Sequence, residues 1–245
     1  LSRIFASVQD CGGRLASLRA RKDANEIAVM KQAAKLTCAA FAEVRSRLPQ
    51  YVHEYEVEAD FTRYFRKHNA THAYEPIVAS GENAVTLHYT KNSDKLAKNR
   101  LVLIDIGARV NGYCADITRT YGIRPTKRQR AVHAAVEAAH HRIIELIQPN
   151  LAIAEYMHAV DEIMKDALCE LNLLEARSDD TTYRRYFPHS VSHGLGVDVH
   201  DSLGKPQFLQ PGMVLTVEPG IYIAEEGIGV RIEDDILVTE TGHLN

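Results

Sequence analysis

Hydrophobic residues recur at helical spacing in several stretches of the chain. The first predicted helix covers 23–48, where Asp23 can cap the first turn together with Glu26 three residues later. A second helix is predicted over 57–68. After an interruption, the helical spacing returns over 126–148, opened by Thr126 with Gln129, and over 153–174.

Short apolar runs of strand length follow each pair of predicted helices. The polar, arginine-rich stretch 175–187, which separates the second pair of helices from the strands that follow it, is predicted to be a loop. The order helix, helix, strands therefore occurs twice, which predicts an α+β fold of two similar halves that share one sheet. The predicted strands are 76–79, 84–89, 101–108 and 115–122 in the first half, and 190–192, 197–199, 213–217, 220–223 and 229–239 in the second.

Composition excludes some classes of protein. The 245 residues are 45% hydrophobic and carry a net charge of -3, so no basic face for nucleic acid is expected. The chain has no apolar run of the ~18 residues that a membrane span needs. Its four cysteines are far apart in sequence, which favours reduced thiols and a cytoplasmic protein.

Two aspartates interrupt an otherwise apolar hairpin, LVLIDIGARVNGYCADITRTYG. With Asn111-Gly112 as a type I′ turn, Asp105 faces Thr118, and Asp116 lies on the same face, diagonal to Asp105. Two buried carboxylates repel each other, and a divalent cation between them removes that cost. The alternative is a pair of solvent-exposed aspartates on an edge hairpin.

Further carboxylates and a histidine cluster occur in equally apolar surroundings. Glu218 ends the run MVLTVE, and Arg231 and Glu233 share one face of the strand in VRIEDDILV. Four carboxylates and one imidazole match two divalent cations in charge. Oxygen-rich ligation favours Mn²⁺, and an imidazole also tolerates Zn²⁺ or Co²⁺. The histidines of FPHSVSHGLGVDVHD are His189, His193 and His200.

These segments resemble the metallopeptidases of family M24, which have the pita-bread fold, and among them the Xaa-Pro aminopeptidase and prolidase branch. The matching motifs are ENAVTLHYT, LIDIGARVNGYCADITRT, PHSVSHGLGVDVHD, LTVEPGIY and GIGVRIEDDILVTETG. The resemblance implies a curved antiparallel sheet with helices packed behind it. It makes 21–245 the catalytic domain and 1–20 a lead-in, either the remnant of an N-terminal domain or the linker from one.

The resemblance also assigns metal ligands to residues of this chain. Asp105 would bind one metal ion, Asp116 and Glu233 would bridge two, and His193 and Glu218 would complete the second site. Glu218 would in addition carry protons during catalysis.

Other residues would contact the substrate. His88, His189 and His200 would line its site, and all three would take part in catalysis. Arg231 would support the site and Tyr222 would bound the pocket behind the metals. Ser190 replaces the glycine that usually follows the first histidine of this motif, which affects the local backbone around His189.

The expected activity is metal-dependent cleavage between an N-terminal residue and a following proline. The substrates would be peptides with proline in the second position, and the protein could assemble as a homodimer. Three alternatives stay open: an Xaa-Pro dipeptidase, a methionine aminopeptidase, and a non-catalytic relative that binds peptides.

Overall fold

A computed structural model describes residues 9–245 of the protein. Within these residues, none of the helices combines the length and the apolar character that crossing a bilayer requires. The helices are α1 Gly12–Ala20, α2 Ala24–Arg47, α3 Glu54–Lys67, α4 Lys127–Leu146, α5 Ile153–Glu170 and α6 Asp180–Tyr186. The strands are β1 Thr71–His72, β2 Ile77–Ser80, β3 Leu101–Asp105, β4 Ala108–Val110, β5 Tyr113–Cys114, β6 Thr118–Gly122, β7 Val214–Val217, β8 Gly220–Ile223, β9 Ile228–Arg231, β10 Asp234–Val238 and β11 His243–Leu244.

Both predicted capping boxes form as short-range hydrogen-bonded pairs. Asp23 accepts from the backbone N–H of Glu26 at 2.9 Å, and the Glu26 carboxylate accepts from the Asp23 N–H at 2.8 Å. Thr126 and Gln129 make the same reciprocal pair at the start of α4. These bonds satisfy backbone donors that a helix leaves free at its N-terminus, so they fix where α2 and α4 begin.

Each half of the molecule packs its two long helices against its own strands. In the first half, α2 and α3 bury Phe41 and Phe61 against Ile104 of β3. In the second half, the larger core joins α4 and α5 to β7, β8 and β9 through residues such as Ile143 and Val230. The helices thus lie behind the strands and leave the opposite strand face free for a site.

The two halves join along β6. Thr118 pairs antiparallel with Glu233, whose backbone N–H donates to the Thr118 carbonyl at 3.0 Å. Two residues further on, the Thr120 hydroxyl donates to the Arg231 carbonyl at 2.9 Å. This contact brings β6, paired with β3 in the order β2-β3-β6, beside the strand pair β8-β9 and the sheet β11-β10-β7. The predicted α+β fold of two halves is confirmed.

Three predicted strands in irregular segments are wrong. The stretch 84–89 begins inside a 3₁₀ helix, Gly81–Val85, and continues without regular structure, while 190–192 and 197–199 are also irregular. The last two belong to the chain segment before β7. Part of it, around Val191, lies alongside β7, where the Glu218 N–H donates to the Val191 carbonyl at 2.9 Å. Burial alternates over 84–89 through contact with neighbouring elements, and none of the three segments forms a strand ladder.

Other boundaries also differ from the prediction. The predicted loop 175–187 contains helix α6, which begins at an Asp179 cap and buries Tyr183. The predicted strand 229–239 divides into β9 and β10 at Ile232 and Glu233. The break lets β9 pair with β8 and β10 pair with β7, so the chain passes from one sheet to the other at Glu233.

Candidate metal centre

One cavity of about 580 Å³ opens where the two halves meet. Its walls come from strands β2, β3 and β9 and from the segments before β2, between β2 and β3, after β5, before β7, after β7 and after β9. Every predicted site residue except Tyr222 lines it: His88, Asp105, Asp116, His189, His193, His200, Glu218, Arg231 and Glu233. The structure therefore gathers polar side chains from segments more than 140 residues apart in the sequence.

The hairpin that carries the two aspartates has the predicted register. Asn111 and Gly112 both have positive φ, 47° and 90°, as a type I′ turn requires, and Asp105 pairs with Thr118. Between β3 and β4 the chain needs Gly107, where a Cβ would lie only 1.7 Å from the Ala115 carbonyl oxygen. This close approach lets the hairpin bend directly beside Asp116.

Tyr74 holds the two aspartates together and was not anticipated from the sequence. Its hydroxyl lies 2.5 Å from Asp105 Oδ1 and 2.6 Å from Asp116 Oδ1. One phenolic hydrogen can serve only one of these oxygens at a time, so the two carboxylates converge on a single donor. Tyr74 precedes β2 in an unremarkable stretch, and no sequence pattern marks it.

Asp116, His193 and Glu233 form a cluster of metal-ligating atoms that all lie within 4.8 Å of one another. Asp105 and Glu218 border this cluster without belonging to it. Glu218 Oε1 is 3.5 Å from His193 Nε2, and Asp105 shares the Tyr74 hydroxyl with Asp116. The predicted ligands thus form a core of three with one carboxylate on either side.

Arg231 connects this cluster to the back of the cavity. Its guanidinium donates to Asp105 Oδ2 at 2.6 Å and to the Tyr222 hydroxyl at 2.9 Å, and the Tyr222 hydroxyl is also 2.9 Å from His189 Nε2. Arg231 is nearly fully buried. The chain of contacts from Asp105 through Arg231 and Tyr222 therefore sets the position of the His189 imidazole.

The electrostatics of the cavity are those of crowded, buried acids. Burial raises the pKa of Glu218 to about 7. Burial, with the neighbouring Asp116 charge, also raises the pKa of Asp105 and of Glu233. For His193, burial lowers the pKa, but contact with the Asp116 carboxylate outweighs this effect and raises it to about 9.

These residues fit a divalent metal ion. Their donor atoms are carboxylate oxygens and one imidazole nitrogen, a set that suits Mn²⁺, Zn²⁺ and related ions. Burial raises the pKa values of Asp105, Glu218 and Glu233 even though the Arg231 guanidinium lowers all three and the His193 imidazole lowers that of Glu218. A divalent cation would add further positive charge, as metal ligands must be deprotonated to bind.

Three histidines surround the acids without joining them. His189 Nδ1 is 3.7 Å from Glu218 Oε2, and the His200 ring stands edge-on to His193 with the ring centres 4.3 Å apart. His88 lies on the cavity wall in the irregular segment before β3. Burial lowers the pKa of His189 to about 4, so this imidazole is neutral at physiological pH.

Two further residues support the ligands, and neither was predicted from the sequence as a site residue. The Thr118 hydroxyl donates to Glu233 Oε2 at 2.6 Å, which holds the carboxylate toward the cluster. Asp235 accepts from the Asp116 backbone N–H at 3.2 Å. The sequence shows the aspartate pair in RIEDDILV, but the direction in which these side chains point depends on the break between β9 and β10.

Comparisons with known proteins agree with this arrangement. The chain is 38% identical over 247 residues to the Xaa-Pro aminopeptidase of Escherichia coli K12, a match that covers 93% of this chain and 56% of that protein. Among solved structures, the proline aminopeptidase P II from Yersinia pestis superimposes with a TM-score of 0.89 at 39% identity, over 98% of this chain and 60% of the other.

A second structure, aminopeptidase P from Escherichia coli with the inhibitor Pro-Leu, gives a TM-score of 0.88 at 37% identity, over 96% of this chain and 58% of the other. The chain therefore spans less than two thirds of the length of these relatives. The model of metallopeptidase family M24 matches residues 28–240. The match to the family model, the identity to these relatives and the shared pita-bread fold together show that the chain belongs to metallopeptidase family M24.

Proposed function

We propose that this chain removes the N-terminal residue from peptides that have proline in the second position. The gathering of acids and histidines from both halves around one cavity is the observation that carries the proposal. The names of the relatives, Xaa-Pro aminopeptidase and aminopeptidase P, point to the same substrate class.

Two divalent ions, with Mn²⁺ preferred over Co²⁺ or Zn²⁺, are part of the proposal. Asp105 would hold one ion, Asp116 and Glu233 would bridge both, and His193 and Glu218 would hold the other. Bound as a pair, the ions would make water more acidic and polarise the substrate carbonyl. The 4.8 Å cluster of Asp116, His193 and Glu233 supports the bridging role.

Glu218 would move protons during hydrolysis. Its carboxylate lies between the ligand His193, at 3.5 Å, and the cavity-lining His189, at 3.7 Å. It thus stands where attacking water and substrate meet. We propose that Glu218 accepts a proton from that water and passes it to the proline nitrogen of the leaving peptide.

The surrounding histidines and Arg231 would bind the substrate. His88 and His200 would donate hydrogen bonds to the oxygen on which negative charge develops. His189 would contact the substrate, oriented by Tyr222, which Arg231 holds at 2.9 Å. The free amine would lie near Asp105, which explains why a single residue is removed.

The remaining features of the proposal concern the whole protein. Residues 21–245 would be the catalytic domain, with 1–20 as its lead-in, and the protein would act in the cytoplasm, where its four free thiols stay reduced. Assembly as a homodimer belongs to the same proposal.

A panel of peptides and metals tests the activity. The protein is incubated with Mn²⁺, Co²⁺ or Zn²⁺ and with three substrates: a Met-Ala peptide, an Xaa-Pro dipeptide and a longer Xaa-Pro-Yaa peptide. We expect release of the N-terminal residue from Xaa-Pro-Yaa, fastest with Mn²⁺. Faster cleavage of the dipeptide would indicate a dipeptidase, and faster cleavage of Met-Ala would indicate a methionine aminopeptidase. No cleavage together with no stoichiometric metal would indicate a peptide-binding protein.

A further inference from the structure

The position of His88 depends on its backbone. The residue lies in the irregular part of the segment between β2 and β3, and its side chain is exposed on the cavity wall. Among the described residues, none makes a hydrogen bond with the His88 imidazole. Whatever fixes the chain on either side of His88 therefore fixes the point on the cavity wall from which the imidazole extends.

A buried glutamate on α3 forms hydrogen bonds with several parts of this segment. Glu54 is 0% exposed. Its Oε1 accepts from the Ser80 N–H at 2.8 Å and from Asn83 Nδ2 at 3.0 Å. Its Oε2 accepts from the Tyr89 hydroxyl and from the Asp94 N–H, both at 2.9 Å. One carboxylate thus contacts the beginning, the middle and the end of the segment 80–94.

The hydrogen bonds between Glu54 and this segment also satisfy the buried Glu54 carboxylate itself. Among the described residues, no lysine, arginine or histidine forms an ion pair with it, and all its donors are neutral groups of 80–94. Four donors fill the places that two carboxylate oxygens offer in this geometry. Since a buried charge is costly without such bonds, any other conformation of 80–94 would leave it unpaired.

A second glutamate on the same face of α3 secures the far end of the segment. Glu58, one turn after Glu54, accepts from Asn92 Nδ2 at 2.9 Å. Asn92, with φ of 44°, also accepts from the Val78 N–H at 2.9 Å and donates to the Pro76 carbonyl at 2.8 Å. The first turns of α3 therefore hold the chain on both sides of His88.

We propose that Glu54 is a positioning residue for His88. Through Tyr89, the next residue in the chain, it holds the backbone so that the imidazole faces the cavity and can donate to the substrate. The catalytic part of this inference rests on the proposed function, in which His88 stabilises developing charge. The structural part, that Glu54 orders 80–94, is independent of it.

A double-mutant cycle separates positioning from general stability. Glu54→Gln places an amide N–H₂ against two other donors, so the segment must shift, and a misplaced catalytic group can cost about 100-fold in rate. We expect Glu54→Gln to lower kcat/KM for an Xaa-Pro-Yaa peptide by roughly ten- to 100-fold with unchanged metal content. In a His88→Ala background, the same change should cost less than about threefold, since the group it positions is gone.

Hydrogen exchange supplies the readout that does not need turnover. Glu54→Gln should speed exchange of the backbone amides within 80–94 without affecting the helices of the second half. The control is Glu82→Gln on the same segment, an exposed side chain 3.1 Å from Arg100. We expect this control to change neither exchange nor kcat/KM.

Several results would overturn the inference. One is a Glu54→Gln variant that has a lower melting temperature but a normal kcat/KM per folded molecule. Another is a double variant whose loss of kcat/KM equals the product of the losses in Glu54→Gln and His88→Ala. Should Glu54→Gln fail to fold, Tyr89→Phe removes only the bond at 2.9 Å and must give a smaller loss that disappears in the His88→Ala background. If the wild type cleaves no Xaa-Pro peptide, the proposed function fails, and the exchange data alone decide whether Glu54 orders the segment.

Discussion

Three acids of the cavity are each oriented by a side-chain donor from a different residue. Asp105 has a cationic partner in Arg231 at 2.6 Å, Glu233 has the neutral Thr118 hydroxyl at 2.6 Å, and Asp116 has Tyr74 at the same distance. Each of these bonds occupies part of one oxygen and leaves other lone pairs free. The carboxylates are therefore oriented before any ion binds, as in a preorganised site.

Replacing Glu218 tests its role at the scale of one residue. An amide cannot accept a proton from water and release it to a leaving nitrogen, so Glu218→Gln should lower kcat by roughly 1,000-fold. Steady-state kinetics on an Xaa-Pro-Yaa peptide measures the loss, and elemental analysis reports the metal content of the same sample.

The matched control for this variant is Glu225→Gln, which changes an exposed glutamate bonded to the Tyr186 hydroxyl at 2.6 Å, outside the cavity. Its kcat should stay within twofold of wild type. A Glu218→Gln protein that binds its metals and turns over at nearly the wild-type rate would show that another group carries the proton.

The start of α2 illustrates what a single helix contributes. Asp23 accepts from the backbone N–H groups of Asn25 and Glu26 at 2.8 and 2.9 Å, which satisfies two donors that the first turn otherwise leaves free. The helix in turn buries Phe41 and Val44 in the core of the first half. Its cap should therefore affect the stability of the whole domain.

Asp23→Ala should lower the free energy of unfolding by about 1 kcal/mol, the usual effect of losing a helix cap. Urea unfolding followed by circular dichroism measures the change. Asn25→Ala, at an exposed position in the same turn, is the control and should stay within about 0.5 kcal/mol of wild type. Equal stability of the Asp23→Ala and Asn25→Ala proteins would mean that the cap is dispensable.

At the scale of the whole molecule, burying titratable groups in the binding cavity lowers the stability of the metal-free protein. Without metal, burial raises the pKa of Glu218 from 4.5 to about 7, and the pKa of His193 rises from 6.5 to about 9. A raised pKa favours the folded protein while the group is protonated. Its contribution is complete below the unfolded value and is lost as the pH rises through the folded value.

The metal-free protein should therefore lose stability between pH 7 and pH 9, mainly as His193 loses its proton, because the lowered pKa values of His140 and His189 act in the opposite direction only below about pH 6.5. Since one pKa unit corresponds to ~1.4 kcal/mol, the loss is on the order of 3 kcal/mol. Urea unfolding in the presence of a chelator measures it at several pH values. Added Mn²⁺ should stabilise the protein more at pH 8 than at pH 5, because its ligands must lose their protons.

The variant Glu218→Gln provides the comparison for this trend, since it cannot titrate and should flatten the lower part of the curve. A metal-free wild type whose stability is constant or increases from pH 7 to pH 9 would contradict the picture of crowded titratable groups in the cavity.

Contacts between near neighbours in the chain could be predicted from the sequence. The capping box of Asp23 and Glu26 joins residues three apart, and the turn at Asn111-Gly112 sets the register that places Asp105 opposite Thr118. Helical and alternating patterns also indicated the order of elements. Such patterns report burial and local hydrogen bonding, which depend on residues within a few positions of each other.

Only the tertiary structure decided which distant groups satisfy one another. Tyr74 reaches Asp116 from 42 residues away, and the Thr118 hydroxyl reaches Glu233 from 115 residues away. The stretch 84–89 alternates like a strand but is irregular, because Glu54 binds the segment around it. The sequence by itself determined the four long helices, the register of the Asp105–Asp116 hairpin and the chemical types at the site, whereas the irregular segments and the partner of each buried polar group depended on how both halves pack.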